Sequence, residues 1–234
     1  MNLLCVDASG TASSAAVFAG GKLAGEVFSN VKMTHSETLL PNVKTLCDSL
    51  RIPIGEIGLF AVTVGPGSFT GLRIGISLVK GLAFAKDLRC VPVSTLEALA
   101  NGAVLAEKLI CPCMDARCGQ VYNALFESVG GKLMRLCEDR AISAEALVAE
   151  LNAQGRQVLL TGDGAGIVMA LAKDKDKYAI APENLLYQRA SFFGSLALAK
   201  YERGESLPPA DLVPNYLRIP QAQRELNARI GKMD

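Results

Sequence analysis

Residues 59–86, LFAVTVGPGSFTGLRIGISLVKGLAFAK, decide how the rest of the chain is read. Leu59 to Val64 is a short apolar run rich in β-branched residues, the composition of a buried strand. Gly65-Pro66-Gly67-Ser68 stops it, because proline fixes φ and has no amide for a ladder, while glycine permits φ > 0. Ser68 or Thr70 is placed to cap a helix. From about Gly71 to Ala85 apolar residues recur at helical spacing in two adjacent stripes. Leu72, Ile76, Val79 and Ala83 form one; Ile74, Leu78, Leu82 and Ala85 form the other. A helix this apolar must be covered on most sides, by its own domain or by a partner: it is read either as a buried crossover helix or as one with a stripe for the core and a stripe for a second protein. Gly71 and Gly75 share a face and let another backbone come close. They do not make a nucleotide loop: no Lys-Ser/Thr pair follows Gly71, and the third glycine of a dinucleotide fingerprint falls one residue late.

Working outward, strands and helices alternate. Met1 to Ala8 reads as a strand ending at Asp7, and residues 15–19 and 22–28 as a hairpin turned at Gly20-Gly21. Thr34-His35-Ser36-Glu37 has capping-box spacing, with Leu39, Val43, Cys47 and Leu50 following at helical intervals. Pro41 is expected to kink that helix or shorten its start. A strand at Cys90 to Val93, a second capping box at Ser94 to Glu97 and a helix to about Ala106 close the first half. Then the pattern restarts. Ile110 to Met114 is a strand ending at Asp115, Gln120 to Glu127 another, and Gly130-Gly131 turns into a strand at Lys132 to Leu136. Cys5-Val6-Asp7-Ala8-Ser9 matches Cys113-Met114-Asp115-Ala116-Arg117, and Gly20-Gly21-Lys22-Leu23 matches Gly130-Gly131-Lys132-Leu133, at offsets of 108 and 110 residues. A tandem duplication of a βββαβα-type unit follows, the two-lobed α/β plan of the actin, Hsp70 and sugar-kinase group. The expected division is a first lobe at 1–107, a smaller second lobe at 108–218 and a polar tail at 219–234. A helix is expected from Ser143 to Ala153, a strand at Val158 to Leu160 and a short helix opened by Gly162 to Ala165. A late helix near Arg189 to Arg203 is available to pack back on the first lobe. Asn215 to Arg218 reads as an extended piece, and Gln221 to Asp234 as a loose helix or disordered end.

The 234 residues suffice for a sizeable core, and the composition, half apolar and one-fifth charged, is that of a globular protein. With 24 basic and 23 acidic residues the net charge is +1, so a strong autonomous grip on nucleic acid is not expected. No apolar run reaches membrane-spanning length and no basic flank precedes the first strand, so the chain is expected to stay in the cytosol. Of seven cysteines most sit in apolar runs and read as buried reduced thiols; Cys111-Pro112-Cys113 lacks the second pair of a metal knuckle.

Val64-Gly-Pro-Gly-Ser-Phe-Thr-Gly-Leu-Arg-Ile-Gly75, taken with Leu3-Leu-Cys-Val-Asp-Ala-Ser9, Thr34-His-Ser-Glu-Thr-Leu-Leu-Pro41 and Pro214-Asn-Tyr-Leu-Arg218, resembles the TsaB (YeaZ) family over nearly the whole chain. The resemblance implies a non-catalytic partner of TsaD in bacterial synthesis of threonylcarbamoyl-adenosine in tRNA. TsaE would complete the complex, tRNA would be touched only indirectly, and no cofactor would be held. The helices after the first hairpin and after the Gly-Pro-Gly turn would bundle with those of TsaD, or with a second copy when the chain is alone. That places His35, Leu39, Leu40, Val43, Cys47, Leu72, Arg73, Ile76, Val79 and Lys80 at the interface, of about 1,600 Å² if standard. Replacing Ile76 or Val79 by Arg is then expected to spare the fold and abolish pairing.

In ATP-using members of the actin-like group an aspartate ends the first strand of each half and the next turn wraps phosphate. Asp7, Ser9 and Thr11 in one half, and Asp115 and Arg117 in the other, occupy those places, with Asp163 where adenosine is met. The second turn lacks paired glycines, so the set reads as a vestigial nucleotide cleft. The rival reading is an independent ATPase or small-molecule kinase using Asp7 and Asp115 on Mg²⁺-nucleotide. TsaD holds its metal with an H-x-x-x-H pair on a helix; here His35 is followed at i+4 by Leu39, and it is the only histidine. No catalytic residue and no metal ligand is therefore assigned. The same count opposes a metallopeptidase, and no G-x-S-x-G elbow is present.

Overall fold

The repeat seen in the sequence is a repeat of strand order. The computed structural model describes residues 1–31 and 33–218; the tail from Gln221 lies outside the described residues. The first half contributes β1 (Asn2–Asp7), β2 (Ser13–Ala19), β3 (Lys22–Ser29), α1 (His35–Leu50), β4 (Ile57–Gly65), α2 (Phe69–Phe84), β5 (Cys90–Ser94) and α3 (Thr95–Gly102). Its sheet runs β3-β2-β1-β4-β5, with the first three strands antiparallel and the last three parallel. The second half contributes β6 (Leu109–Arg117), β7 (Gln120–Asn123), β8 (Phe126–Val129), β9 (Lys132–Arg135), β10 (Arg140–Ser143), α4 (Ala144–Gln154), β11 (Val158–Thr161), α5 (Ala165–Leu171), β12 (Tyr178–Ile180), α6 (Glu183–Leu186) and α7 (Gly194–Glu202). Its sheet runs β10-β7-β6-β11-β12 in the same sense, with β8 and β9 as an added hairpin. The molecule is thus a duplicated, actin-like α/β protein. Gly20-Gly21 turns the β2–β3 hairpin with positive φ, 55° and 81°, and Gly130-Gly131 turns the added β8–β9 hairpin, 60° and 73°, so the second glycine pair lies in the insertion between β7 and β10 and not at the counterpart of the first.

Alternation along the central strands sets the layers. Leu4 and Val6 of β1 face α1 and α2, whereas Leu3 and Cys5 face Phe193 and Ala197 near the start of α7. In β6, Cys111 and Cys113 meet α4 and α5, while Ile110 and Met114 meet α3. Each fully buried Leu, Ile or Phe adds about 1.5–3 kcal/mol of burial free energy to these cores.

Several expectations need correction. The expected capping box at Thr34 does not form; Thr34 Oγ1 instead accepts from Ser36 Oγ at 3.3 Å. α1 is not shortened at its start: it runs 16 residues through Pro41, whose missing amide removes only the bond to Glu37. α3 stops at Gly102, against the Phe192 ring, short of Ala106. The strand expected over Gln120 to Glu127 is broken between β7 and β8. Opposite the break stands Pro112, which has no amide to donate, and the buried Asn123 side-chain amide instead donates to Pro112 O (3.1 Å) and Ala124 O (2.9 Å). The late helix begins only at Gly194, after a 3₁₀ turn over Ala190–Phe193. The caps at Ser68, Ser94 and Ser143 do form, each hydroxyl accepting from an amide three residues on. No helix among the described residues is long and apolar enough to cross a membrane.

Candidate partner groove and inter-lobe cleft

Two concave sites lie next to one another. The first is a cleft of about 460 Å³ between the lobes. The turn after β1 (Ser9, Thr11), the end of β6 (Asp115, Arg117) and the turn after β11 (Asp163) come together there. Asp7 does not join them. It is fully buried beneath the turn, with Oδ1 accepting from the Ser9 amide (2.9 Å) and hydroxyl (2.8 Å). Burial raises the Asp7 carboxyl above its ordinary value, and the Ser9 bonds oppose the rise. Of the two aspartates that the rival reading places on Mg²⁺-nucleotide, Asp115 lines the cleft and Asp7 lies buried beneath it. Asp115 accepts from the Arg117 amide (2.7 Å) and pairs with its guanidinium (3.1 Å). Asp163 Oδ1 accepts from the Asp115 amide at 3.1 Å, and burial followed by the Asp115 charge raises its carboxyl. Asp115 and Asp163 thus each accept at least one bond from the cleft's own turns, while Asp7 Oδ2 is buried without a hydrogen-bond partner.

The second site is a groove of about 470 Å³ between α1 and α2, lined by His35, Ser36, Leu39, Leu40, Phe69, Thr70, Arg73, Ile74, Ser77 and Leu78. It corrects the stripe assignment. Leu39, Val43, Cys47, Ile76 and Val79 are packed in the first lobe's own core, and Leu72 is 1% exposed. The reason is Gly71, where a Cβ would overlap the Ala8 carbonyl oxygen: the glycine face of α2 is pressed on β1 and carries Leu72, Ile76 and Val79 inward with it. The groove-lining stripe is Ile74 and Leu78, half-buried and packed on one side against that core, joined by Leu40 of α1, which is 49% exposed. Only Leu40 and Arg73 of the expected interface stand on the open face, with His35 half-buried at the groove's end. Lys80 is committed elsewhere, its Nζ donating to Ala210 O (3.0 Å) and Leu212 O (3.2 Å).

Sequence reading missed what joins the two sites. Phe69, the first residue of α2, lines both the groove and the cleft. The chain after Leu212 passes over the same place. The Asn215 amide donates to Val64 O at 2.7 Å, the Tyr216 ring stacks on Phe69 at 4.8 Å, and Arg218 donates to the Ala116 and Arg117 carbonyls of the second lobe. An apolar ring at a helix start, followed by a late aromatic in Pro-Asn-Tyr-Leu-Arg, was the available signal.

His35 Nε2 donates to the Gly10 carbonyl at 3.0 Å, since a carbonyl only accepts, and its i+4 position is the core residue Leu39. Among the described residues no group of three His, Cys, Asp or Glu is placed to hold a metal. Cys111 and Cys113 sulfurs lie 3.6 Å apart, and burial pushes the Cys111 thiol well up.

Residues 23–212 match the family described as TsaD: tRNA N6-adenosine threonylcarbamoyltransferase. The Bacillus subtilis tRNA threonylcarbamoyladenosine biosynthesis protein TsaB is 30% identical over 225 residues, 95% of this chain and 96% of its own. Its Escherichia coli namesake is 27% identical over 229 residues, 97% and 98% of the two chains. The solved YeaZ from Pseudomonas aeruginosa aligns with a TM-score of 0.80 at 28% identity, over 92% of this chain and 99% of that one. Full-length likeness of sequence and of fold agree: the chain belongs to the TsaB (YeaZ) family, within the wider TsaD family.

Proposed function

We propose that this chain is a non-catalytic, cytoplasmic subunit that docks TsaD through the groove between α1 and α2. With TsaD, and through it TsaE, it would support transfer of a threonylcarbamoyl group to adenosine of tRNA. The observation that carries the reading is the contrast between an open apolar groove on two helices and a cleft in which Asp115 and Asp163 already accept bonds from its own turns. Two further facts support it. The lone histidine is tied to Gly10, and the curated relatives are named for threonylcarbamoyladenosine biosynthesis. The test is size-exclusion and calorimetry with purified TsaD. Leu40→Asp is expected to melt like the wild type and to lose co-elution; undiminished pairing would reject the groove.

The second reading, an independent ATPase or kinase, rests on the roomy cleft and the Ser9–Thr11 turn. Calorimetry of the isolated chain with Mg-ATP separates the two. Micromolar binding with turnover would favour the enzyme, and no heat at millimolar nucleotide the scaffold.

A further inference from the structure

The two lobes are joined in different ways behind the cleft and in front of it. Behind it the join is apolar and broad: Leu96, Leu99 and Ala103 of α3 pack on Ile110, Met114 and Phe126 of the second lobe. In front, residues 212–218 cross from one lobe to the other without regular secondary structure. The first lobe holds this segment at several points. Leu212 is buried in that lobe's core, and Lys80 Nζ donates to its carbonyl at 3.2 Å. The Asn215 amide donates to Val64 O at 2.7 Å, and a Cβ on Gly65 would lie 2.5 Å from the Asn215 carbonyl oxygen, so the bare glycine makes room for the segment. Tyr216 stacks on Phe69, whose ring also carries Arg73, the guanidinium carbon 5.1 Å from the ring centre. To the second lobe the segment reaches through Arg218, whose Nη1 donates to the Ala116 carbonyl and, at 3.3 Å, to the Arg117 carbonyl. The receiving turn is unusual: Arg117 and Cys118, neither of them glycine, both have left-handed φ, 66° and 55°. Asp115 holds that turn by accepting from the Arg117 amide at 2.7 Å.

We propose that residues 213–218 are a latch across the mouth of the cleft, which keeps the two lobes at one angle through the Arg218 guanidinium. Asn215, Tyr216, Leu217 and Arg218 all line the cleft, so the segment closes it where the lobes would part. The apolar contact under α3 is the pivot. Side chains sliding there stay dry, whereas separating them would return apolar surface to water. Opening is therefore confined to the front, and there the Arg218 bonds must break first. A charged donor on a carbonyl bonds more strongly than a neutral one, yet it is one side chain and can let go without unfolding either core. The latch concerns the angle between the lobes and does not depend on the docking role proposed above.

The chain has no tryptophan, so Tyr216→Trp places a lone fluorophore against Phe69, inside the cleft lining. Acrylamide quenching of that residue reads the latch, and small-angle X-ray scattering of the full chain reads the lobes. In this background Arg218→Gln is expected to raise the quenching constant about two-fold, as its charge-assisted bonds are lost. It should also raise the radius of gyration by about 1 Å over the ~17 Å of a compact chain of this length. The melting temperature should fall by no more than about 2 °C, because both cores are untouched. Arg218→Lys should recover part of both changes, since an ammonium still donates but lacks the planar fork. Inserting Gly-Gly between Val213 and Pro214 keeps every side chain and slackens the crossing, and should enlarge the molecule to the same extent. If quenching rises in Arg218→Gln while the radius of gyration stays at the wild-type value, the segment is a surface strap and the latch is refuted. If neither changes, or if the Gly-Gly insertion leaves the radius unaltered, the contact under α3 alone fixes the lobes and the proposal is overturned.

Discussion

The groove and the cleft share a wall at Phe69 and differ in what they leave undone. In the cleft the charges that line it meet partners from their own chain: Asp115 with Arg117, Asp163 with the Asp115 amide, Arg218 with two carbonyls; beneath it, Asp7 engages Ser9 through Oδ1 and leaves Oδ2 buried without a hydrogen bond. In the groove Leu40 is exposed, Ile74 and Leu78 are only half covered by the core, and Arg73 has no counter-charge among the described residues. A site that has satisfied itself has little to offer a ligand, since new contacts must first break old ones. A surface with open apolar area and an unpaired, held cation gains from being covered. The difference separates an inherited architecture from a working surface.

The sharpest way to break this comparison is to exchange the two faces of α2. Ile76→Arg puts a charge into the first lobe's core, where Ile76 is 4% exposed, and should cost about 4 kcal/mol or more in urea unfolding, against the expectation from sequence that the fold would survive it. Leu40→Asp acts on the open face. It should shift the melting temperature by no more than about 2 °C while costing at least 30-fold in TsaD affinity. The glycines of α2 sharpen the same contrast. Gly71→Ala must displace the Ala8 carbonyl and should destabilise by about 2 kcal/mol, whereas Gly81→Ala, with open space around it, should stabilise by about 0.5–1 kcal/mol. Thermal unfolding of the pair measures both signs.

The smallest effect belongs to the cleft floor. Burial raises the Asp7 carboxyl above its ordinary 3.8, so the folded chain holds that proton more tightly than the unfolded chain does. Stability contributed by the protonated form is present below the ordinary value and is lost as pH rises through the raised one. Asp7→Asn should remove that fall from the urea midpoint followed upward from pH ~4. An unchanged slope would mean that Asp7 does not titrate alone in that window.

Much of the fold was legible because it is written twice. An aspartate ends β1 and recurs near the end of β6, and alternate apolar residues mark strands with both faces covered; the second Gly-Gly pair, by contrast, turns the added β8–β9 hairpin and not the counterpart of β2–β3. What escaped was short or non-local. β10 and β12 have four and three residues, too few for a period to show. The break opposite Pro112 was signalled by the proline itself, but the remedy, a side-chain amide from Asn123, depends on register. Both stripes of α2 were visible in the sequence, and the choice between them was not: helical spacing defines faces without saying which meets the sheet. Gly71 held the answer, because a bare backbone is needed only where Ala8 presses on it. The Phe69–Tyr216 contact joins residues distant in sequence and leaves no local trace.

Hydrogen–deuterium exchange of the chain alone and bound to TsaD, with and without Mg-ATP, tests the central claim most directly. Protection on binding should concentrate at residues 35–40 and 69–78, with residues 9–11, 115–118 and 163 unchanged by nucleotide in the isolated chain. Nucleotide-dependent protection of the cleft, together with unaltered exchange at α1 and α2 in the complex, would contradict it.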